Sequence, residues 1–272
     1  MLTILSVDRA DKNKLFPIFG RLRTEQKNLA GEEVRFINFT RRRGKIHWKK
    51  IESVLGDDKT VLCREGLEIP ESSHIRRFDC NELRIRLCLN MALAAMEMVR
   101  DKAGRIKVGI YDPCGKIADS TEAFFKFTDS VTVVTKAVDL YTVEADRIMQ
   151  EQGAHLRVTK RLLSIENVHL VISPDIIKCR LPLKKQSVIL TTDKPMVSQN
   201  CTLLSKYYFV LENGVSDLLP EGIDTEYFAS ALYTLCKRYY LGSLVPMAAK
   251  GTGAEHTLVS LSKYLINIAS NT

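Results

Sequence analysis

From Ile106 onward, short runs of β-branched residues alternate with segments of helical character. This alternation constrains the fold more than any other feature. Residues 107–111, 131–135, 154–158, 168–172, 187–191 and 207–211 read as strands. Residues 116–127 and 140–152 read as helices between them. Continuous apolar strands separated by helices imply a parallel sheet covered on both faces. Strand spacings of about 20–25 residues fit right-handed crossovers. Segments 159–167 and 173–186 are too short or too broken for full helices.

The N-terminal part has a simpler pattern. Residues 2–7 and 34–39 read as strands. Residues 47–55 read as a helix with Trp48, Ile51, Val54 and Leu55 on one face, ended by Gly56. Residues 60–63 return to strand, which makes a strand–helix–strand unit and a small parallel sheet. Asp79 or Asn81 caps a long helix over 82–102, with Leu83, Leu87, Met91, Ala94, Ala95 and Met98 at helical spacing. Gly104 then stands as a hinge. Asp224 or Thr225 caps a helix over 226–240, and residues 255–269 make the last helix. The expected organisation is a small α/β domain with its connecting helix (1–104), a second α/β domain (105–215), and C-terminal helices (216–272) that pack back on the first domain.

Composition narrows the function classes. Seven scattered cysteines form no CxxC pair and five dispersed histidines form no HxxxH, so zinc ligation and a disulfide framework are not expected. No apolar run reaches the ~18 residues of a membrane helix. The apolar start of the chain lacks a basic leader and a cleavage site, so it reads as a strand. A cytoplasmic protein with no membrane association is the expectation. The net charge of +8 is uneven: residues 1–104 hold 21 basic and 15 acidic side chains, and the remainder holds 19 and 17. The excess centres on Arg41-Arg42-Arg43-Gly44-Lys45 and Lys49-Lys50. Residues 41–50 could bind nucleic acid or another polyanion, or form a solvated lead into the following helix.

The chemistry-bearing stretch is Val108-Gly109-Ile110-Tyr111-Asp112-Pro113-Cys114-Gly115-Lys116-Ile117, a strand followed by a tight turn. With Val131-Thr132-Val133-Val134-Thr135-Lys136 and Val168-His169-Leu170-Val171-Ile172-Ser173-Pro174, it resembles a Rossmann-type NAD(P)-binding domain over residues 105–215. The order of small domain, nucleotide-type domain and final helices resembles the two-domain arrangement of shikimate dehydrogenase. The resemblance implies a doubly wound parallel sheet. It also implies a ligand crevice at the strand ends, lined by Asp112, Pro113, Cys114, Gly115, Lys116, Thr135, Lys136, Ser173 and Thr192.

The phosphate turn departs from that family. Its three glycine positions fall on Asp112, Cys114 and Ile117, and only Gly115 remains nearby. A cysteine side chain obstructs the approach of backbone to a pyrophosphate, and a carboxylate repels it. The second strand ends in Thr135-Lys136 with no acid, which suits the 2′-phosphate of NADP better than the ribose of NAD. The cofactor expectation is therefore none, or NADP. Cys114 beside a helix start could gain thiolate character. The stretch Lys250-Gly251-Thr252-Gly253 reads as a helix-entry turn with a second chance of anion binding. Lys12, Lys14 and Asp79 are candidates for the family's lysine–aspartate pair, but no motif aligns there.

Three functions follow. The first is a degenerate dehydrogenase-like protein that binds a small molecule or nucleotide, or regulates, with little hydride transfer. The second is an active NADP-dependent oxidoreductase. The third is polyanion binding through residues 41–50. Ligand identity, catalysis and oligomeric state are not fixed by the sequence.

Overall fold

The structure is a computed structural model. It describes residues 2–9, 22–29, 32–41, 46–212, 215–252 and 254–271. The strands are β1 (Leu2–Arg9), β2 (Leu22–Leu29), β3 (Glu32–Arg41), β4 (Thr60–Cys63), β5 (Arg76–Arg77), β6 (Val108–Tyr111), β7 (Val131–Val134), β8 (Arg157–Thr159), β9 (Leu170–Ser173), β10 (Val188–Thr191), β11 (Thr202–Tyr208), β12 (Ala248–Thr252) and β13 (Ala254–Thr257). The helices are α1 (Trp48–Leu55), α2 (Glu82–Glu97), α3 (Arg100–Ala103), α4 (Val138–Gln152), α5 (Thr225–Leu235) and α6 (Leu258–Ser270).

The chain divides into two compact units. The smaller comprises residues 1–83 and 210–241, the larger residues 84–209 and 242–272. The division therefore falls within α2, not at residue 104. Helix α5 groups with the N-terminal residues, and α6 groups with the larger sheet.

In the smaller unit the strand order is β2-β3-β1-β4-β5. The β3, β1, β4 and β5 strands are parallel, and β2 pairs antiparallel with β3 at the edge. Side chains of Leu5, Ile37, Phe39, Val61 and Cys63 pack with Ile51 and Leu55 of α1 in one buried cluster. The helical face read from the sequence is thus the core face of α1. Gly56 ends that helix at φ 68°. Helix α5 joins this unit through a hydrogen bond from the Tyr227 hydroxyl to the Phe78 carbonyl at 2.7 Å. Strand β2 escapes a sequence reading because its segment, LRTEQKNL, is polar and largely exposed, as befits an edge.

In the larger unit the order is β13-β12-β11-β10-β9-β6-β7-β8. Strands β6 to β11 are all parallel. Their order reproduces the 3-2-1-4-5-6 pattern of a dinucleotide-binding sheet, with the reversal between β6 and β9. The fold class is therefore α/β with a Rossmann-like sheet. The crossovers are reduced. Only α4, between β7 and β8, is a full α-helix. Residues 118–126 form a 3-10 helix where an α-helix over 116–127 was expected. The long helix over 82–102 is broken at residues 98–99 into α2 and α3. The last parallel strand runs from Thr202 to Tyr208, upstream of the predicted 207–211. One face of the sheet is covered by irregular chain: Ile165, Ile177 and Leu181 pack on Val171, Ile189 and Leu203.

His169, buried at the start of β9, ties two strands together. The Lys107 backbone N–H donates to its Nδ1 at 3.1 Å. Among the described residues Nε2 is buried without a partner. Burial, reinforced by the charges of Lys107 and Lys184, holds this imidazole below its ordinary pKa. Protonation would also set Nδ1–H against the Lys107 N–H. The unfolded chain therefore takes up the proton first, at the usual value near 6.5. Stability is full above that pH and falls as pH drops from there through the lower folded-state value. His256, also lowered by burial, acts in the same direction. The urea midpoint is expected to fall between about pH 7 and pH 5. A His169→Gln variant should show a flatter profile over that window, and an equally steep one would assign the loss elsewhere.

Among the described residues, no helix is long and apolar enough to cross a membrane.

Candidate functional site

The carboxyl ends of the parallel strands gather the polar residues singled out in the sequence. Asp112 follows β6, Thr135 follows β7, Ser173 ends β9 and Thr192 follows β10. All four are buried. The sheet reverses between β6 and β9, the point at which ligands lie in this architecture.

Asp112 organises the turn. Its Oδ1 accepts from the Gly115 N–H at 2.9 Å. Its Oδ2 accepts from the Ile117 N–H at 2.9 Å and from the Tyr141 hydroxyl at 2.8 Å. Burial, with the Asp112 charge next, pushes the Tyr141 hydroxyl well above its ordinary pKa, so it remains a donor. The carboxylate thus lies on backbone donors that a Rossmann turn presents to phosphate oxygens. A pyrophosphate would meet a resident negative charge and find two of the turn's N–H groups committed. Gly115 adopts φ +77°, and a Cβ there would lie 2.8 Å from Leu140 Cδ1. The positive φ is what favours glycine at this position.

The other strand-end groups are also satisfied locally. Thr135 Oγ1 accepts from the Ala137 N–H at 2.9 Å and shapes the entry to α4. Ser173 Oγ donates to the Asp175 carbonyl at 2.9 Å. Thr192 Oγ1 donates to the Pro174 carbonyl at 3.2 Å. Lys136 is exposed beyond β7. Hydroxyls already bonded to neighbouring backbone define the loops first, and a ligand would have to exchange those bonds for its own.

A second cluster surrounds Asp175. Lys116 Nζ sits 2.5 Å from Asp175 Oδ1. The Cys114 thiol is exposed, and the neighbouring Asp175 raises its pKa instead of lowering it. Burial and the charges of Asp175 and Asp112 add to that rise, and Lys116 opposes it. The expectation of an activated thiol is corrected: the neighbouring carboxylate outweighs the lysine, and the turn leads into a 3-10 helix. The Tyr111 hydroxyl lies 3.6 Å from Cys179 Sγ. Burial and Cys179 push it up to about 12. Tyr141, Asp175, Tyr111 and Cys179 were not singled out in the sequence. Asp175 could have been found as the next acid after a strand end, but nothing local marks Tyr141 as the partner of Asp112.

Residues 250–252 and 254–256 belong to the antiparallel pair β12–β13 and not to a helix-entry turn, with Lys250 opposite Glu255 and Gly251 opposite Ala254. Of the basic run, Arg41 ends β3, while Lys49 and Lys50 are exposed on α1. Arg42, Arg43, Gly44 and Lys45 lie outside the described residues, as do Lys12 and Lys14. Asp79 is exposed ahead of α2. Among the described residues, no group of three or more His, Cys, Asp or Glu could hold a metal ion.

No protein-family model matches the chain, and no curated protein matches it in sequence. Solved structures with a similar arrangement include ligand-free 5-ketofructose reductase of Gluconobacter sp. strain CHM43, at 12% identity and TM-score 0.35, covering 99% of this chain and 98% of that one. Shikimate dehydrogenase in complex with NADP+ matches at 11% identity and TM-score 0.32, covering 98% and 95%. The A chain of dipicolinate synthase from Bacillus subtilis matches at 10% identity and TM-score 0.31, covering 78% and 63%.

Proposed function

We propose that this chain is a degenerate dehydrogenase-like protein. Its nucleotide turn is closed by its own carboxylate, and its role is ligand binding or regulation with little hydride transfer. The observation that carries the reading is the triple hydrogen bond to Asp112 from the Gly115 and Ile117 backbone and the Tyr141 hydroxyl. An enzyme that grips a pyrophosphate needs those backbone groups free, or a helix end unopposed by fixed negative charge. The hydroxyls of Thr135, Ser173 and Thr192 support the same reading, since each is used to shape a loop.

If a dinucleotide is taken, NADP is favoured over NAD. Lys136 is exposed after β7, and the end of that strand carries no acid to hold a ribose diol. Calorimetric titration of both dinucleotides tests the proposal. NAD is expected to bind weakly or not at all, and NADP no better than micromolar. The paired substitutions Asp112→Gly and Cys114→Gly should improve NADP binding by about tenfold or more, as the repulsion and one side-chain obstruction are removed. Tight NADP binding by the unmodified protein would overturn the closed-turn reading. No gain in a double variant that keeps the parent's far-UV spectrum would show that the turn is not the obstacle.

A further inference from the structure

Among the described strands, four stand at sheet edges: β2 and β5 in the smaller unit, β8 and β13 in the larger. An edge strand carries a row of unpaired backbone N–H and C=O groups, a template for another strand unless something blunts it. Shortness blunts three of these edges. β5 has two residues, β8 three and β13 four. β2 has eight. It contains no proline, and it pairs with β3 in unbroken register from Leu22–Phe39 to Leu29–Glu32. Residues 23–28 are all exposed, so both faces of the strand are open. We infer that β2 is the contact of a homodimer. Two copies of the chain join β2 to β2 antiparallel about a two-fold axis at Gln26, and Glu25 of each faces the partner's Lys27.

Backbone geometry limits the registers. In an antiparallel pair, alternate residues of a strand turn their N–H and C=O groups to the same side. The residues of β2 that bond β3 therefore alternate with those that face outward. Two identical strands about a two-fold axis must match outward residues with outward residues, so the axis passes through one residue and its copy. This holds whichever set faces outward.

Charge selects among the registers that remain. Arg23, Glu25 and Lys27 share one face of β2, and Thr24, Gln26 and Asn28 share the other. An axis at Glu25 sets two carboxylates against each other and Arg23 against Lys27, and like charges directly opposite are destabilising. An axis at Lys27 sets two ammonium groups together. An axis at Thr24 matches Arg23 with Glu25 but pairs only residues 22–26 of the strand. The axis at Gln26 pairs residues 23–29, places Glu25 opposite the partner's Lys27 on both sides of the axis, and matches uncharged Thr24 with Asn28 on the other face. Within the chain Lys27 Nζ stands 4.0 Å from Glu25 Oε2 and 5.2 Å from the centre of the Phe36 ring. The two charged side chains are 53% and 55% exposed, and so open a pair contributes little. Exchanging it for two cross-strand pairs therefore costs little, while main-chain hydrogen bonds are gained along the edge. The contact is isologous, so it closes at two copies and does not propagate into a fibre.

The contact uses the smaller unit alone, so it stands or falls apart from the reading of the larger sheet. Sedimentation of the full chain over roughly 1–300 μM tests it, and a monomer–dimer equilibrium is expected. Lys27→Glu should weaken the dimer about tenfold, because acids then face acids. Glu25→Lys should weaken it by a similar factor through opposed lysines. Mixed in equal amounts, the two single variants should form a heterodimer about as readily as the parent forms its homodimer, since every acid again faces a lysine. Glu25→Lys combined with Lys27→Glu in one chain should restore the homodimer. Neither rescue can occur if the single variants merely misfold. Amide hydrogen exchange locates the contact: protection along residues 23–29 should rise with protein concentration. Three results would overturn the inference. One is a monomer over the whole range, which leaves the edge bare or free for a strand of another protein. Another is a dimer indifferent to both single substitutions. The last is a weakened dimer that neither mixing nor the charge exchange restores.

Discussion

Asp112→Ala is expected to lower the unfolding free energy by about 3–5 kcal/mol, a large share of the stability of an ordinary domain. The carboxylate is fully buried and receives three hydrogen bonds, and its loss strands the Ile117 N–H and weakens the pairing of the Gly115 N–H and the Tyr141 hydroxyl. Bonds to a charged acceptor contribute about 1.5–3 kcal/mol each, and stranded buried donors add their own desolvation cost. Part of that total is offset because a buried charge is itself expensive to desolvate. Tyr141→Phe removes one of the three bonds and should cost about 1–2 kcal/mol. Urea unfolding of both variants measures the difference. A loss under about 1 kcal/mol for the alanine variant would mean that the turn holds without its carboxylate. Added pyrophosphate should restore part of the stability of Asp112→Ala and none to the parent protein, because the vacated donors become an anion site.

That expectation ties stability to function. In a working dinucleotide site the turn is satisfied by its ligand, so the empty protein carries unsatisfied donors. Here the chain supplies the anion itself. Asp112 was legible in the sequence as an acid at the wrong place, and repulsion was the consequence drawn from it. Its occupation of the turn was not legible, because that depends on Tyr141, 29 residues along the chain and brought over by the first turn of α4. Local spacing cannot report such a contact.

The same division holds for the fold. The β-branched runs of β6, β7, β9 and β10 are buried on both faces, so their sequence states their structure directly. The crossovers are different. Residues 118–126 carry a helical pattern, but tertiary packing settles them as a 3-10 helix. Thr121 returns its hydroxyl to the Ile117 carbonyl at 3.1 Å, and Phe124 and Thr121 are buried. The edge strands are the least legible. β2 is polar, and β5 has only two residues, paired on β4 in the absence of any local strand signal. The β12–β13 hairpin is spelled Ala-Ala-Lys-Gly-Thr on its first strand, a composition poor in strand formers. The placement of α6 follows from that hairpin. Thr257 ends β13 and caps α6, its Oγ1 accepting from the Ser260 N–H at 3.2 Å. The helix therefore starts from the edge of the larger sheet, and its Tyr264 hydroxyl donates to the Gln186 carbonyl at 3.0 Å.

Gly251→Ala is expected to unseat this hairpin, at a cost of about 3 kcal/mol or more. A Cβ at position 251 would lie 1.7 Å from the Leu203 carbonyl oxygen and 2.8 Å from Leu204 Cα. Those are backbone atoms of β11, so no rotamer change relieves the overlap. The strands approach this closely because the β11–β12 register slips between Leu204 and Lys206, and a bulge there presses β12 onto its neighbour. To admit a methyl group, β12 must move off β11. It would give up its pairs from Leu203–Thr252 to Tyr208–Ala248 and carry β13 and the start of α6 with it. The parallel strands β6, β7, β9 and β10 contribute nothing to that ladder and should keep their own. Amide hydrogen exchange distinguishes the outcomes. The variant should lose protection at β12 and at the Leu258 N–H, which bonds the Met247 carbonyl at 2.8 Å, while amides of β6 and β9 exchange as before. Unchanged protection along β12 in a variant of unchanged stability would show that the bulge can absorb the side chain. Uniform loss across the whole sheet would show that the hairpin and the parallel strands unfold as one cooperative unit.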